Sequence, residues 1–498
     1  MGGLTIRSSG ILMHISSLPS PYGIGTFGKE AYRFVDFLSA AGQRFWQILP
    51  IGPTGYGDSP YQSFSTFAGN PYFIDLDLLH QQGLLEKEDY ASLDWGSDPS
   101  RVDYGKLYEK RFSVLHTAFA RQDSAHKEMV RAFAEQNTSW LCDYALYMAL
   151  KFHFGGLPWT QWEDSIRART PQAVKQFSDL LHSEIEFWQF VQYLFSSQWK
   201  TLKQYANKLK VSIIGDIPIY VAYDSADVWA NPSLYVLDDD LVPTIVSGCP
   251  PDAFSATGQL WGNPIYRWDE MKKDGYAWWM QRLSAATTMY DVVRIDHFRG
   301  FDSYYAIPSA DTTAEHGVWQ QGPGLDFFKV LRKTLGKKNI IAEDLGFLTD
   351  SVRTLQKKTG YPGMKVLQFA FDSREESDYL PHNYEQNCVV YTGTHDNDTV
   401  CGWFKTAPRA DVRFCKRYLN IRRNEPRGMS MIRAAWSSVG DTAIAPMQDF
   451  LELGSAARMN TPSTVGGNWQ WRTLPQSLTP ELASSMLSLT KLYGRWCP

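Results

Sequence analysis

Short β-branched apolar runs recur along this chain, and each run ends in a polar cluster. Amphipathic helical segments lie between several of them, including KEAYRFVDFLSAAG at 29–42 and FFKVLRKTLG at 327–336. Strands that alternate with helices form a parallel sheet. Seven runs stand out, with an eighth expected near IAPMQDFLEL (444–453), and they are GILMHIS (10–16), FWQILPIGP (45–53), VSIIGDIPIY (211–220), VVRIDHFRG (292–300), NIIAEDLG (339–346), MKVLQFAFD (364–372) and CVVYTGTHDND (388–398).

This pattern predicts an α/β fold and, with eight strands, a (β/α)8 TIM barrel whose active site lies at the C-terminal ends of the strands. An open doubly wound sheet is the alternative. A barrel needs only about 250 residues, whereas the chain has 498. We therefore predict a single catalytic barrel over 1–498, with a helix-rich insertion at approximately 60–205 and a loop-rich insertion at approximately 230–280.

Charge and cysteine usage exclude several classes of partner. The 49 Lys and Arg against 53 Asp and Glu give a formal net charge of -4, so no basic field attracts nucleic acid. Six scattered cysteines without a C-x-x-C argue against a zinc site and a disulfide framework. No apolar run is long enough for a bilayer, and the N-terminal run is too short for a signal peptide. We expect a soluble cytoplasmic protein, with a processed plastid protein as the alternative.

Aromatic residues make up 14% of the chain, and many lie in segments rich in Gly, Pro and Asn. An example is GYGDSPYQSFSTFAGNPYF at 55–73. Rings in such loops indicate a stacking surface for an uncharged partner. Ordinary packing is the alternative, because Tyr and Trp are of intermediate burial in most proteins.

Charged residues interrupt the buried run DVVRIDHFRGF at 291–301. Residues two apart on a strand share a face, so Arg294 and Asp296 both point into the predicted barrel mouth. A guanidinium keeps a neighbouring carboxylate ionised by lowering its pKa. A purely structural Arg–Asp pair is the alternative. The next strand ends in Glu343 and Asp344, and a later strand ends in His395, Asp396, Asn397 and Asp398.

Three carboxylates on one rim, facing an uncharged and stacked substrate, fit the chemistry of the glycosidic bond. A retaining mechanism needs one ionised carboxylate to attack the anomeric carbon and one protonated carboxyl group to protonate the leaving oxygen. Like-charge proximity and a dry pocket drive two such pKa values apart. A third carboxylate can stabilise the positive charge of an oxocarbenium-like transition state.

The motifs at these strand ends resemble one family over essentially the full chain. RIDHFRGF, AEDLG and THDND, together with GPTGYGDSPYQSFSTFAGNPY, GDIPIYV, PPDAFSATGQLWGNPIYRW, GMKVLQFAF and ARMNTPSTVGGNWQWR, are similar to those of the 4-α-glucanotransferases. These enzymes, also called amylomaltases or disproportionating enzymes, belong to the α-amylase superfamily. The resemblance implies that Asp296 is the nucleophile, Glu343 the general acid/base and Asp396 the transition-state stabiliser. It implies substrate contacts for Arg294, His395, Asp216, Tyr61, Ser59, Trp261, Asp372, Asn460, Phe254 and Tyr56.

The implied activity is transfer of an α-1,4-glucan segment from a maltooligosaccharide or starch-type donor to a 4-hydroxyl group of glucose or another glucan. The family needs no organic cofactor, and we expect neither a metal nor a nucleic-acid or membrane partner. The expected assembly is a monomer or weak homo-oligomer. Family members lack the C-terminal β-sandwich domain of many amylases, which agrees with the helix-like LASSMLSLTKLYGRW near the end of this chain.

The segment CPPDAFSATGQLWG at 249–262 is the candidate lid over the site. Its prolines, glycines and aromatics suit a semi-rigid flap that favours a sugar acceptor over water. A plain connecting loop is the alternative. This chain has Ala253 before Phe254 where relatives commonly have a tyrosine, so one stacking ring is missing. Two other functions remain as alternatives. One is a hydrolase on the same scaffold, and the other is a non-catalytic glucan-binding protein.

Overall fold

The computed structural model describes residues 7–55, 57–251, 255–346 and 348–496. The strands in these ranges form an eight-stranded sheet and a four-stranded sheet. In chain order they are β1 (Ser8–Leu12), β2 (Phe45–Gln47), β3 (Ser212–Pro218), β4 (Ile245–Cys249), β5 (Gln259–Pro264), β6 (Val292–Asp296), β7 (Ser303–Pro308), β8 (Val318–Gln321), β9 (Ile340–Ala342), β10 (Gly363–Val366), β11 (Cys388–Tyr391) and β12 (Thr442–Pro446).

The larger sheet is a parallel barrel. Its strand order is β10-β11-β12-β1-β2-β3-β6-β9. The two end strands are connected where the Ala342 N–H donates to the Pro362 carbonyl oxygen at 2.9 Å. The predicted (β/α)8 barrel is therefore confirmed and the open sheet is excluded. Each of the eight apolar runs in the sequence overlaps one barrel strand.

Helices surround the barrel and fill the long connection between β2 and β3. The periodic segments at 29–42 and 327–336 correspond to α1 and α12. In chain order the helices are α1 (Lys29–Ala40), α2 (Leu76–Gln81), α3 (Tyr104–Ala120), α4 (Ser124–Gln136), α5 (Thr138–His153), α6 (Asp164–Arg167), α7 (Pro171–Leu180), α8 (His182–Lys208), α9 (Ala226–Ala230), α10 (Trp268–Lys273), α11 (Ala277–Met289), α12 (Gly324–Leu335), α13 (Asp350–Thr359), α14 (Val400–Thr406), α15 (Arg409–Tyr418), α16 (Arg427–Ser437), α17 (Met447–Phe450) and α18 (Pro480–Leu492).

The inside of the barrel is a packed apolar core. Each barrel strand contributes a buried side chain to it, namely Leu12, Phe45, Ile214, Val292, Ile341, Met364, Val389 and Ile444. The neighbouring Ile213 and Val293 instead join the larger core that includes helix residues. Because strand side chains alternate between faces, Arg294 and Asp296 lie on the inward face with Val292. The inner core therefore supports the charged groups from below.

The smaller sheet is antiparallel, in the order β5-β4-β7-β8. Strands β4 and β5 lie within 230–280, which the sequence predicted to be loop-rich, and the strands were not foreseen there. The pairing of β4 with β7 is non-local, because Val246 in β4 lies opposite Ile307 in β7. The sheet flanks the end of β6 that carries Asp296, so it borders the candidate site.

After β12 the described chain contains α17 and α18 and adds no strand to either sheet. Among the described residues, none of the helices combines the length and apolar character that a bilayer crossing requires.

Candidate active site

An arginine joins two aspartates at the centre of the site. Arg294 donates from Nη1 to Asp216 Oδ2 at 2.6 Å, and its Nη2 lies 3.0 Å from Asp296 Oδ1. The adjacent strands β3 and β6 place Asp216 directly opposite Arg294. The side chains of Arg294 and Asp216 are 4% and 0% exposed, whereas that of Asp296 is 30% exposed. Of these three residues, only Asp296 is therefore appreciably exposed to the cleft. Arg294 holds it in place.

Tyr61 links this cluster to the residues after β11. Its O–H donates to Asp216 Oδ2 at 2.8 Å, and burial raises the pKa of Tyr61, so the phenol keeps its proton. The ring stacks on His395 with centroids 5.0 Å apart. His395 Nε2 in turn lies 3.3 Å from Asp396 Oδ1. The Asn460 side-chain amide donates to the same Asp396 oxygen at 2.6 Å.

Glu343 follows β9 and is held by backbone groups. The His297 N–H donates to Glu343 Oε2 at 2.6 Å, and the Leu345 N–H donates to Glu343 Oε1 at 2.8 Å. His297 is the residue after Asp296 and has a left-handed φ of 50°. The peptide bond between Asp296 and His297 therefore positions the side chain of Glu343.

Burial gives Glu343 and Asp296 higher pKa values than carboxyl groups on the protein surface have. Burial and, to a smaller extent, the neighbouring Asp296 charge raise the pKa of Glu343 to about 7. Burial also raises the pKa of Asp296 to about 6, but the Arg294 guanidinium opposes this shift. Near neutral pH, Asp296 is therefore the group that ionises first, and Glu343 is the group that retains a proton.

Of the remaining predicted residues, the structure describes Trp261, Ser59 and Asp372. Trp261 in β5 packs edge-on against His297, with centroids 4.8 Å apart. Ser59 accepts the Tyr61 N–H at 3.3 Å. Asp372 pairs with Arg374, whose Nη2 lies 2.6 Å from Asp372 Oδ2. Among the described hydrogen bonds and ion pairs, neither Ser59 nor Asp372 contacts the three carboxylates. Tyr56, Ala253 and Phe254 lie outside the described residues.

Three neighbours of the site were not predicted as site residues. Arg458 donates to the Asp396 carbonyl oxygen, and Trp469 packs near both Tyr61 and His395. His297 is kept neutral, because burial and the Arg299 charge lower its pKa to about 3. The sequence signal for His297 was its place beside Asp296 at a strand end. Arg458 and Trp469 lie in ARMNTPSTVGGNWQWR (457–472), and membership of this family-like motif was their sequence signal.

No cluster of His, Cys, Asp and Glu side chains suited to a metal ion occurs within the part of the chain that the structure describes. The site consists instead of two partly buried carboxyl groups with different pKa values and a third carboxylate held by an amide and an imidazole. On a (β/α)8 barrel, this combination defines a class of proteins that process glycosidic bonds through paired carboxylates.

Comparison with known proteins identifies the family. Residues 13–477 match the model of the 4-alpha-glucanotransferase family. A 4-alpha-glucanotransferase of Streptococcus pneumoniae is 52% identical over 492 residues, which cover 98% of this chain and 97% of that protein. Another, from Clostridium butyricum, is 50% identical over 485 residues, which cover 97% of this chain and 100% of that protein. This chain belongs to the 4-alpha-glucanotransferase family, so the resemblance seen in its motifs is confirmed.

A solved structure supports the same assignment. Amylomaltase from Streptococcus agalactiae in complex with acarbose superposes on this chain with a TM-score of 0.96 at 44% identity, covering 99% of this chain and 100% of that chain. The barrel and its insertions are therefore a family architecture.

Proposed function

We propose that this chain transfers α-1,4-glucan segments from one maltooligosaccharide or starch-type chain to another. Transfer proceeds with retention of configuration through a covalent glycosyl-enzyme. The observation that carries the proposal is the pair of Asp296 and Glu343, linked through the His297 N–H and with raised pKa values, within a chain whose full length matches 4-alpha-glucanotransferases.

In the first half of the reaction, the ionised Asp296 attacks the anomeric carbon of the donor. The protonated Glu343 gives its proton to the glycosidic oxygen, and the released chain departs with a new hydroxyl group. The higher pKa of Glu343 supports this division of roles. Arg294 keeps Asp296 ionised and orients its oxygens toward the sugar.

In the second half, Glu343 acts as a base. It accepts the proton of an acceptor 4-hydroxyl group, whose oxygen attacks the anomeric carbon and displaces Asp296. Two inversions at one carbon give net retention. A sugar acceptor in place of water makes the reaction a transfer, and the lid at 249–262 favours this outcome by covering the site.

Asp396 stabilises the positive charge that develops on the sugar ring in the transition state of each of these two steps. The Asn460 amide and the His395 ring fix the position of one of its oxygens, so the charge is oriented before the reaction. His297 Nε2 is buried and has no hydrogen-bond partner within the described residues, which makes it available to a sugar hydroxyl group.

We further propose that the protein is cytoplasmic and is a monomer or weak homo-oligomer. The helix-rich insertion and the lid belong to the same catalytic unit as the barrel. Glucose serves as one acceptor, and Tyr56, Ser59, Asp372 and Phe254 contribute further glucan contacts. The described cysteines form no disulfide, which supports a reducing compartment. Light scattering coupled to size exclusion tests the assembly.

Incubation with maltotriose tests the function. A ladder of longer and shorter chains with a constant number of reducing ends supports glucan transfer. A rise in reducing ends without longer chains identifies a hydrolase instead and implicates Ala253. An unchanged substrate contradicts both activities and supports a glucan-binding protein.

A further inference from the structure

A buried carboxyl group lies beside the candidate site and has no part in the chemistry described above. Asp449 belongs to α17, the short helix that directly follows β12. It is 1% exposed, and burial raises its pKa to about 7 against the opposing effect of the hydrogen bonds that it accepts. Because a carboxyl group is costly to bury unless it is hydrogen-bonded, the groups that bind Asp449 indicate its role.

Asp449 binds both ends of the loop that carries Asp396. The Thr392 hydroxyl group, just after the end of β11, donates to Asp449 Oδ2 at 2.6 Å. The Val400 N–H, at the start of α14, donates to Asp449 Oδ1 at 2.8 Å. One rigid carboxyl group therefore sets the separation of the two ends that the loop at 393–399 connects.

The loop between these ends is held together by its own hydrogen bonds. The Asn397 side-chain oxygen accepts the Thr394 N–H at 2.8 Å and the Thr394 hydroxyl group at 3.0 Å. The Thr394 hydroxyl oxygen in turn accepts the Asp396 N–H at 3.3 Å. Because these bonds make the loop one compact unit, a shift of either end moves Asp396 with it.

Asp396 also has direct supports that do not involve Asp449. Arg458 donates to its carbonyl oxygen, and the Asn460 amide donates to its side chain. These two contacts would remain if the Asp449 side chain were removed. Loss of Asp449 should therefore displace the Asp396 carboxylate slightly without releasing it, and the effect on the reaction should be partial.

We propose that Asp449 is a positioning residue for glucan transfer, which holds both ends of the loop at 393–399 and so sets where the Asp396 carboxylate lies against the sugar ring. This inference rests on the proposed function. Asp449 is too deeply buried to touch the substrate itself. Because Asp396 acts on charge that develops only in the transition state, its displacement should lower kcat more than it raises KM.

Fluoride release from α-maltosyl fluoride tests this role, because it measures turnover of the donor whether a sugar or water is the acceptor. Asp449→Ala is expected to lower kcat about tenfold to hundredfold and to change KM less than about threefold. Asp449→Asn is expected to restore most of the rate. Its amide oxygen can accept the Val400 N–H while its amide group donates to the Thr392 hydroxyl oxygen.

Asp75→Ala is the matched control, because Asp75 is also a buried carboxyl group bound by a hydroxyl group and a backbone N–H. It is 6% exposed and accepts the Thr26 hydroxyl group at 2.6 Å and the Leu78 N–H at 3.0 Å. None of its described hydrogen bonds reaches the loop at 393–399. Asp75→Ala should lower the melting temperature but not kcat, and an equal fall of kcat in both variants would overturn the inference.

A double-mutant cycle with Asp396→Asn separates positioning from folding. If Asp449 acts through Asp396, Asp449→Ala should lower the kcat of Asp396→Asn by less than about twofold. The same factor in both backgrounds would contradict the positioning role. If Asp449→Ala does not fold, Thr392→Val removes one of the two donors. It must then lower kcat in the wild type and have little effect in Asp396→Asn.

Failure of this inference is distinguishable from failure of the proposed function. Wild-type transfer with an unchanged kcat in Asp449→Ala contradicts only the positioning role. Hydrolysis of maltotriose in place of transfer contradicts the proposed function, whereas the comparison of kcat values still decides the role of Asp449. Absence of both fluoride release and transfer in the wild type contradicts both.

Discussion

The catalytic centre and the acceptor side of the cleft are built in different ways. Around Asp296 and Asp396, buried polar groups hold one another through hydrogen bonds and ion pairs of 2.6–3.0 Å. On the proposed acceptor side, Trp261 presents a partly exposed ring that packs edge-on against His297. The directed contacts at the centre hold the reacting atoms in place, whereas an aromatic ring can bind the sugar rings of different chains in turn.

This difference sets the scale of the expected effects. Breaking a buried ion pair costs about 3–5 kcal/mol because a charge remains without a partner. Losing one aromatic contact costs only about 0.5–1.5 kcal/mol. Substitutions at the centre should therefore reduce the rate constant strongly, and substitutions on the acceptor side should mainly change binding.

The largest effect is expected for Asp296→Asn. An amide cannot form the glycosyl-enzyme, so the transfer rate should fall by at least about 10⁴-fold, as for other catalytic nucleophiles. Initial rates of maltotriose disproportionation provide the measurement, and circular dichroism provides the control for folding. Turnover at the wild-type rate in a folded variant would refute the role of Asp296.

Arg294→Lys should have the next largest effect. A single ammonium group cannot reproduce the two directed contacts to Asp216 and Asp296, so Asp296 loses its fixed position. We expect kcat/KM to fall about 10²-fold and the melting temperature to fall as well. Arg353→Lys is the matched control, since this arginine also pairs with an aspartate, Asp378, but is 47% exposed. Similar losses in both variants would remove the distinction between buried and exposed pairs.

The pH profile should be bell-shaped. Asp296 must be ionised, so kcat/KM should fall about tenfold per unit below its pKa of about 6. Glu343 must be protonated, so kcat/KM should fall similarly above its pKa of about 7. Initial rates from pH 4 to 9 in buffers of constant ionic strength give the profile. An alkaline limb that persists in Glu343→Gln with a donor of low leaving-group pKa would assign that limb to another residue.

The smallest effect is expected on the acceptor side. Trp261→Ala removes the ring that packs on His297 and should raise the acceptor KM by about tenfold or less. Because water can then compete, the fraction of donor lost to hydrolysis should increase. Counting reducing ends against transfer products measures this fraction. A large fall in kcat with unchanged KM would instead place Trp261 in the catalytic centre.

The sequence predicted the catalytic end of the barrel better than its surroundings. Each barrel strand is a short buried run, and Asp296, Glu343 and Asp396 stand where such runs end, so local patterns were sufficient. The four-stranded sheet was missed because β4 pairs with β7, far away in sequence. The left-handed φ of His297 was also missed, because no glycine marks this position in the sequence.

Trapping the glycosyl-enzyme tests the central claim most directly. Glu343→Gln should react with an α-maltosyl fluoride, whose leaving group needs no proton, but should release the sugar slowly because no base activates the acceptor. Peptide mass spectrometry after proteolysis should then find the maltosyl group on Asp296. A label on Asp396 or another residue would contradict the account, and so would rapid turnover without any labelled peptide.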